Sequence, residues 1–149
     1  TNWMQTLPPY QVSRYSDIYD DSDPKPYFTV SGVNHTSGVI LYDDDYHGNA
    51  YALWNTNLKY DTMTFTVGHV DGAADYNATL SVYLDGNYST EYDLTFNGGP
   101  QTITIPLNRA ANVDIRMSAY ELAFDGTKDY TGWISDTDSQ YALYGISFS

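Results

Sequence analysis

The feature that most constrains the fold is a hydrophobic period of two residues that recurs along the chain. Met63, Phe65 and Val67 alternate with threonines, which places the apolar side chains on one face of a β-strand and the hydroxyls on the other. The same alternation is found at residues 80–84, 103–107 and 113–117. No stretch has the 3.6-residue period of an amphipathic helix. The sequence therefore predicts several half-buried, antiparallel strands.

The connections between these segments carry turn-forming residues. Asp85-Gly86 follows a predicted strand that ends at Leu84 and predicts a tight hairpin, and Asn-Gly-Gly-Pro at residues 97–100 ends the next pair. Short alternating strands joined by such turns predict an all-β fold of two antiparallel sheets packed face to face, a β-sandwich or jelly roll. Because 149 residues is the usual length of one domain, we expect residues 1–149 to form a single module.

Two regions break the alternation and predict surface segments. Residues 6–26 contain four Pro and four Asp, so they are too polar for a central strand and are expected to wrap the sandwich. Residues 120–140 carry Gly and Asp turns around Trp133 and predict a long loop. Long loops in compact domains are often functional.

Composition limits the kinds of ligand that the chain can bind. Nineteen Asp and Glu against six Lys and Arg give a formal net charge of −13, which makes nucleic acids and anionic membranes poor partners. The lack of Cys excludes disulfides, thiolate zinc sites and thiol nucleophiles. Sixteen Tyr, five Phe and three Trp are an aromatic excess. Tyr suits half-wet surfaces that contact neutral, hydroxyl-rich ligands or proteins.

An ordered series of short motifs resembles one known family. The series comprises Ser31-Gly32, His35, residues 37–39, GHVDG at 68–72, VYLDG at 82–86, QTITIPL at 101–107, VDIRM at 113–117 and the closing YGISFS. In this order, from about Leu7 onward, the motifs are similar to the novel putative carbohydrate-binding module (NPCBM) family. The resemblance implies a galactose-binding-like β-sandwich, often appended to glycoside hydrolases or other multimodular surface proteins of glycan-degrading bacteria.

The expected function is carbohydrate binding without catalysis, in a secreted or cell-surface, extracellular bacterial protein. Its expected partners are a polysaccharide or oligosaccharide and a covalently linked catalytic or scaffold module. Neutral plant cell-wall polysaccharides, above all β-glucan, suit the negative charge better than anionic glycans do. Two alternatives stay open: a galactoside-binding module, and a structural or adhesive β-sandwich that contacts a protein partner.

The resemblance also makes a structural calcium ion (Ca²⁺) a candidate cofactor, since some relatives carry one. Calcium binds six to eight oxygens from carboxylates and loop carbonyls. Four acidic turns are rich in such oxygens, at residues 20–23, 43–45, 71–75 and 125–129. None has the spacing of an EF-hand, so the sequence does not identify the ligands.

Aromatic side chains in polar loops are the main candidates for sugar binding, because sugar rings stack on aromatic planes while their hydroxyls bond to polar groups at the rim. Trp133 lies in such a loop, although a Trp there could also fold back into the core. For Trp54, packing in the core or on the sheet is favoured over ligand contact. The candidate carbohydrate-binding residues are Trp133, Trp54, Tyr46, Tyr42, Tyr130 and Asp136.

Catalytic signals are weak. With nineteen Asp and Glu in the chain, a pair at the separation that a glycosidase needs would carry no information, so the acidic residues do not indicate an active site. His35, His47 and His69 share no metal-binding spacing and lie beside no nucleophile motif. We therefore expect no enzyme activity. His69 continues the inward alternation of β-strand residues and is expected to be a hydrogen-bonded core histidine.

Overall fold

The computed structural model describes residues 7–13, 16–19, 27–43, 50–130 and 139–149, of which the side chain of Asp43 is not described. These ranges form thirteen strands: β1 (Gln11–Val12), β2 (Ser16–Tyr19), β3 (Phe28–Val30), β4 (Val33–His35), β5 (Gly38–Asp43), β6 (Ala50–Asn55), β7 (Thr62–His69), β8 (Asn77–Leu84), β9 (Asn87–Leu94), β10 (Gln101–Pro106), β11 (Asn112–Leu122), β12 (Lys128–Asp129) and β13 (Ser139–Phe148). Within these ranges, no helix is long and apolar enough to span a membrane.

The strands form two large antiparallel sheets and one hairpin. The six-stranded sheet has the order β1-β6-β11-β8-β9, with β12 paired to β11, and the five-stranded sheet has the order β10-β7-β13-β5-β2. Strands β3 and β4 form the separate hairpin. Because inward apolar residues of both sheets share one buried cluster, the sheets lie face to face. The predicted all-β sandwich is confirmed.

The core lies between the two sheets and follows the alternation read from the sequence. Met63, Phe65 and Val67 of β7 face inward and are buried, as are the inward residues of β11, Val113, Ile115 and Met117. Trp54 and Tyr141 are the largest fully buried side chains.

The β3–β4 hairpin covers part of the outer face of the five-stranded sheet, over β5 and β13. Phe28 and Val30 of the hairpin bury a second, smaller apolar cluster together with Ile40, Val70 and Ala142. Two glycines make this close approach possible. A Cβ added to Gly68 would lie 2.6 Å from Val30 Cγ1, and one added to Gly38 would lie 2.5 Å from the carbonyl oxygen of Leu143 and 3.1 Å from Phe28 Cζ.

The Asp85-Gly86 turn has the predicted hairpin geometry. It joins β8 to β9, and both residues have positive φ, 51° and 82°, as a type I′ turn requires. The Asp85 carboxylate also accepts hydrogen bonds from the backbone N–H groups of Ala111 and Asn112, at 2.9 and 3.0 Å. This carboxylate therefore ties the hairpin to the start of β11.

Both irregular regions contain more strand than the sequence predicted. The lead-in supplies an edge strand to each sheet, because β1 pairs with β6 and β2 pairs with β5. The expected loop from residue 120 begins later, since β11 continues to Leu122 and the chain returns as β12. Residues 131–138, including Trp133 and Asp136, lie outside the described ranges.

Replacement of Trp54 by Ala tests its position in the core. The side chain is 0% exposed, so we expect Trp54→Ala to lower the free energy of unfolding by about 3–5 kcal/mol. Urea denaturation measures this change, with Leu58→Ala as an exposed control that should alter stability little. A loss for Trp54→Ala no larger than that of the control would contradict this placement.

The burial of Tyr141 predicts a loss of stability in alkali. Burial raises the pKa of Tyr141 above its ordinary value, and its hydroxyl donates to the carbonyl of Tyr76 at 2.7 Å. The folded state therefore keeps a proton that the unfolded chain loses above about pH 10, so stability is full below that pH and falls as pH rises. We expect the fall between pH 9 and 11, measured by urea denaturation, to be shallower in Tyr141→Phe. Identical pH dependence in the two proteins would rule out this contribution.

Candidate functional site

The outer face of the six-stranded sheet carries a row of polar and tyrosine side chains. Along β11 the residues between the core positions point outward, and those of β6, β8 and β9 do the same. We call this surface the tyrosine face: Tyr51, Thr79, Ser81, Tyr83, Tyr88, Glu91, Asp93, Asp114, Arg116, Ser118 and Tyr120, with Tyr130 above them. On the opposite outer face the β3–β4 hairpin covers the part formed by β5 and β13, whereas the outward threonines of β7 and β10 lie at the surface.

A shallow depression of about 290 Å³ lies on the tyrosine face. It is lined by Thr79, Ser81, Glu91, Ser118 and Tyr130. Ser118 lies opposite Thr79 in the ladder between β11 and β8, and Ser81 lies opposite Glu91 in the ladder between β8 and β9. Because three of these side chains are short hydroxyls, the floor leaves space and presents hydrogen-bonding groups.

Tyr130 forms the aromatic wall of the depression. The pairing of β12 with β11 brings it beside Tyr120, with ring centroids 5.6 Å apart and an interplanar angle of 63°. Its hydroxyl shares a hydrogen bond of 2.8 Å with Thr79 Oγ1. The residue remains 40% exposed. The contact with Tyr120 and the hydrogen bond to Thr79 thus fix the position of the Tyr130 ring, while part of its surface faces solvent.

The charges beside this wall are paired. Lys128 Nζ donates to Asp93 Oδ1 at 2.7 Å and lies 4.9 Å from the centroid of the Tyr120 ring. The hydrogen bond to Asp93 raises the pKa of Lys128, while burial, followed by the charge of Asp93, raises the pKa of Tyr120. Both groups therefore keep their protons at neutral pH, and the lysine charge is offset locally.

Glu91 supplies an acceptor at the rim of the depression. It accepts a hydrogen bond of 2.8 Å from the Tyr88 hydroxyl, and this bond raises the pKa of Tyr88. A half-exposed aromatic ring, three hydroxyls and a carboxylate surround one small volume. This combination can contact the apolar face of a ring-shaped ligand while it bonds to hydroxyl groups on the ligand's edge.

The candidate carbohydrate-binding residues predicted from the sequence do not lie together in the structure. Tyr130 lines the depression, whereas Tyr42 lies on the opposite outer face, against the cluster of Phe28 and Ile40. Trp54 points into the core between the two sheets, so its proposed sugar contact is corrected: a fully buried ring has no face available for stacking. Trp133, Tyr46 and Asp136 lie outside the described residues and stay predictions.

His69 and His35 both contact aromatic side chains inside the fold. His69 Nε2 lies 2.8 Å from the carbonyl oxygen of Ala74 and its ring contacts the edge of Tyr141, so its predicted hydrogen-bonded role is confirmed, at partial burial. The ring centroid of His35 lies 5.4 Å from that of Phe28 and 4.0 Å from that of Tyr144, and burial lowers the pKa of His35. The contacts of His35 lie on the outer side of the five-stranded sheet, whereas His69 packs at the core between the sheets.

Two of the acidic turns proposed for calcium each have a carboxylate that accepts hydrogen bonds from neighbouring residues of the chain. Asp71 accepts from the backbone N–H groups of Ser31 and Gly32, and Asp125 accepts from the backbone and hydroxyl of Thr127. Across the described ranges, no three His, Asp or Glu side chains lie close enough together to hold a metal ion. A structural calcium ion stays a prediction.

The sequence reading missed the floor of the depression, although a signal for it existed. Ser118 alternates with the core residues Met117 and Ala119, and Ser81 alternates with Leu80 and Val82. Both strands were predicted, so their outward positions could be read directly. What the sequence lacked was the order of the strands, which makes Ser118 and Thr79 neighbours.

Solved structures share this fold at low sequence identity. CBM51 from Clostridium perfringens GH95, in complex with methyl-galactose, matches with a TM-score of 0.60 and 14% identity over 98% of this chain and 97% of its own. CBM51-2 with INT domains from C. perfringens ZmpB, in complex with GlcNAc, matches with a TM-score of 0.58 and 11% identity over 97% of this chain. This chain spans only 31% of that longer protein.

A third structure places the same fold beside a catalytic domain. The M60 catalytic domain of C. perfringens ZmpB with CBM51-1 and CBM51-2 matches with a TM-score of 0.52 and 12% identity, over 93% of this chain and 13% of its own. The fold is therefore the β-sandwich found in carbohydrate-binding modules. No family model and no curated protein matches the chain significantly, and its membership of the NPCBM family stays a prediction.

Proposed function

We propose that the chain is a non-catalytic carbohydrate-binding module that holds a polysaccharide on its tyrosine face. The observation that carries the proposal is the depression walled by the Tyr130 ring and floored by Thr79, Ser81 and Ser118. The exposed ring supplies a stacking surface, and the hydroxyls supply donors and acceptors to the edge of a sugar. The fold shared with carbohydrate-binding modules supports the same conclusion.

The ligand class that we propose is a neutral plant cell-wall polysaccharide, with β-glucan first. A formal charge of −13 opposes anionic glycans, and the lysine beside the depression already pairs with Asp93. A galactoside is the second candidate, because a structure that shares the fold was solved with methyl-galactose.

The proposed setting is a multimodular, extracellular bacterial protein. The similar ZmpB structures combine modules of this fold with INT domains or an M60 catalytic domain. A weak binding module acts in such a protein by raising the local concentration of its neighbour on the polymer. Catalysis therefore belongs to the attached module rather than to this chain.

Affinity electrophoresis against soluble β-glucan, xylan, mannan and galactan tests the proposal. We expect β-glucan to retard the wild type and Tyr130→Ala to weaken that retardation about two- to tenfold, since stacking on one aromatic ring contributes about 0.5–1.5 kcal/mol. Tyr27→Ala is the matched control, because Tyr27 is an exposed tyrosine at the start of the hairpin on the opposite side.

Each outcome of this experiment has a distinct meaning. Unchanged binding by Tyr130→Ala would show that the tyrosine face is the wrong site, and a loss in Trp133→Ala alone would move the site to the late loop. Retardation by galactan only would favour the galactoside. If no polysaccharide retards a folded wild type, with or without a chelator, the proposed function is wrong and a protein-binding sandwich takes its place.

A further inference from the structure

A second cluster on the tyrosine face lies beside the depression and is built around an arginine. The Arg116 guanidinium carbon lies 5.5 Å from the ring centroid of Tyr51 and 5.4 Å from that of Tyr83. Its Nε donates to Asp114 Oδ2 at 2.9 Å. We call these four residues the arginine cluster. The two rings and the carboxylate hold the guanidinium in one position, so little side-chain entropy is left to lose on binding.

The cluster leaves hydrogen-bonding capacity unused. Arg116 is 43% exposed at its side chain, and among the described residues no hydrogen bond reaches its two terminal nitrogens. The side chain of Asp114 is only 9% exposed, and its Oδ1 is buried with no hydrogen-bond partner in the described structure. Because that oxygen is buried, a ligand can reach the cluster at Arg116 and the tyrosine rings but not at Asp114 Oδ1.

The arginine cluster and the depression form one continuous surface. Ser81 lies directly opposite Arg116 in the ladder between β8 and β11, and it also lines the depression. Along β8, Tyr83 of the cluster and Thr79 under Tyr130 are four residues apart, about 14 Å at roughly 3.4 Å per residue. This span is much longer than a single pyranose ring.

We propose that the arginine cluster is a second sugar subsite, and that the tyrosine face binds an internal stretch of an extended neutral glycan rather than its terminal sugar. This inference rests on the proposed carbohydrate-binding function. The free N–H groups of Arg116 donate to sugar hydroxyls between the rings of Tyr51 and Tyr83. Asp114 offsets the charge of Arg116, so the subsite gives no advantage to a carboxylated ligand.

Isothermal titration calorimetry with linear β-glucan oligosaccharides of two to six glucose units tests this inference. We expect the wild type to bind the hexasaccharide at least tenfold more tightly than the disaccharide. Tyr51→Ala and Arg116→Lys should each weaken hexasaccharide binding severalfold and reduce this dependence on length, because the lysine keeps the charge but loses the planar fork of donors. A carboxymethylated glucan should bind no more tightly than the neutral chain.

Arg109→Lys is the matched control, since Arg109 also pairs with an aspartate, Asp61, but at an exposed site away from the tyrosine face. It should leave every affinity unchanged. The second subsite would be overturned by equal affinity for the disaccharide and the hexasaccharide. It would also be overturned by full hexasaccharide binding in folded Tyr51→Ala and Arg116→Lys. In either case, the affinity of Tyr130→Ala would still test the binding site at the depression. Tighter binding of the carboxymethylated glucan would overturn the preference for neutral chains. If the wild type binds no oligosaccharide and no polysaccharide, the proposed function itself fails.

Discussion

The contact between the β3–β4 hairpin and the five-stranded sheet buries one part of that sheet's outer face, over β5 and β13. This contact depends on Gly38 and Gly68, because a methyl group at either position would clash with atoms of the hairpin or of the neighbouring strand. With the hairpin in place, the aromatic residues of that side, among them Phe28 and Tyr144, pack on one another. No hairpin packs on the described outer face of the six-stranded sheet. Tyr51, Tyr83, Tyr88 and Tyr130 keep part of their surface exposed there, whereas Tyr120 is buried beside Tyr130.

The tyrosine face carries three carboxylates, those of Glu91, Asp93 and Asp114, and one cation, Arg116. A second cation, Lys128, lies beside it. Each pairs with an aspartate and lies over a tyrosine ring. A cation held in this way acts less as an attractor of anions than as a support that fixes the rings. Fixed rings favour a rigid ligand, because neither partner then loses much conformational freedom on binding.

Much of the fold could be predicted from the sequence, and much less of the site. The alternation of Met63, Phe65 and Val67 gives both the strand and its inward face, and Asp85-Gly86 gives the hairpin, because these signals are local. In the segment that ends at Trp54, both faces of the strand carry small or apolar residues. Only the pairing of β6 with β11 therefore shows that Trp54 faces inward. In the same way, Tyr42 and Tyr130 look equivalent in the sequence. They lie on opposite sides because Tyr42 is on β5, whereas Tyr130 follows β12, which pairs with β11 in the other sheet. A site that assembles across strands depends on strand order, which local patterns do not encode.

Strand β11 serves two purposes with alternate residues. Val113, Ile115 and Met117 hold the core, while Asp114, Arg116 and Ser118 face the solvent side. Since the two sets point in opposite directions, substitutions at the half-buried positions Arg116 and Ser118 change the surface chemistry with less effect on packing than substitutions at the core positions or at the buried Asp114. The fold can thus persist while identity falls to the 11–14% seen among the similar structures. In a scaffold of this kind the outward residues of one strand can therefore diverge between sequences while its inward residues keep the core.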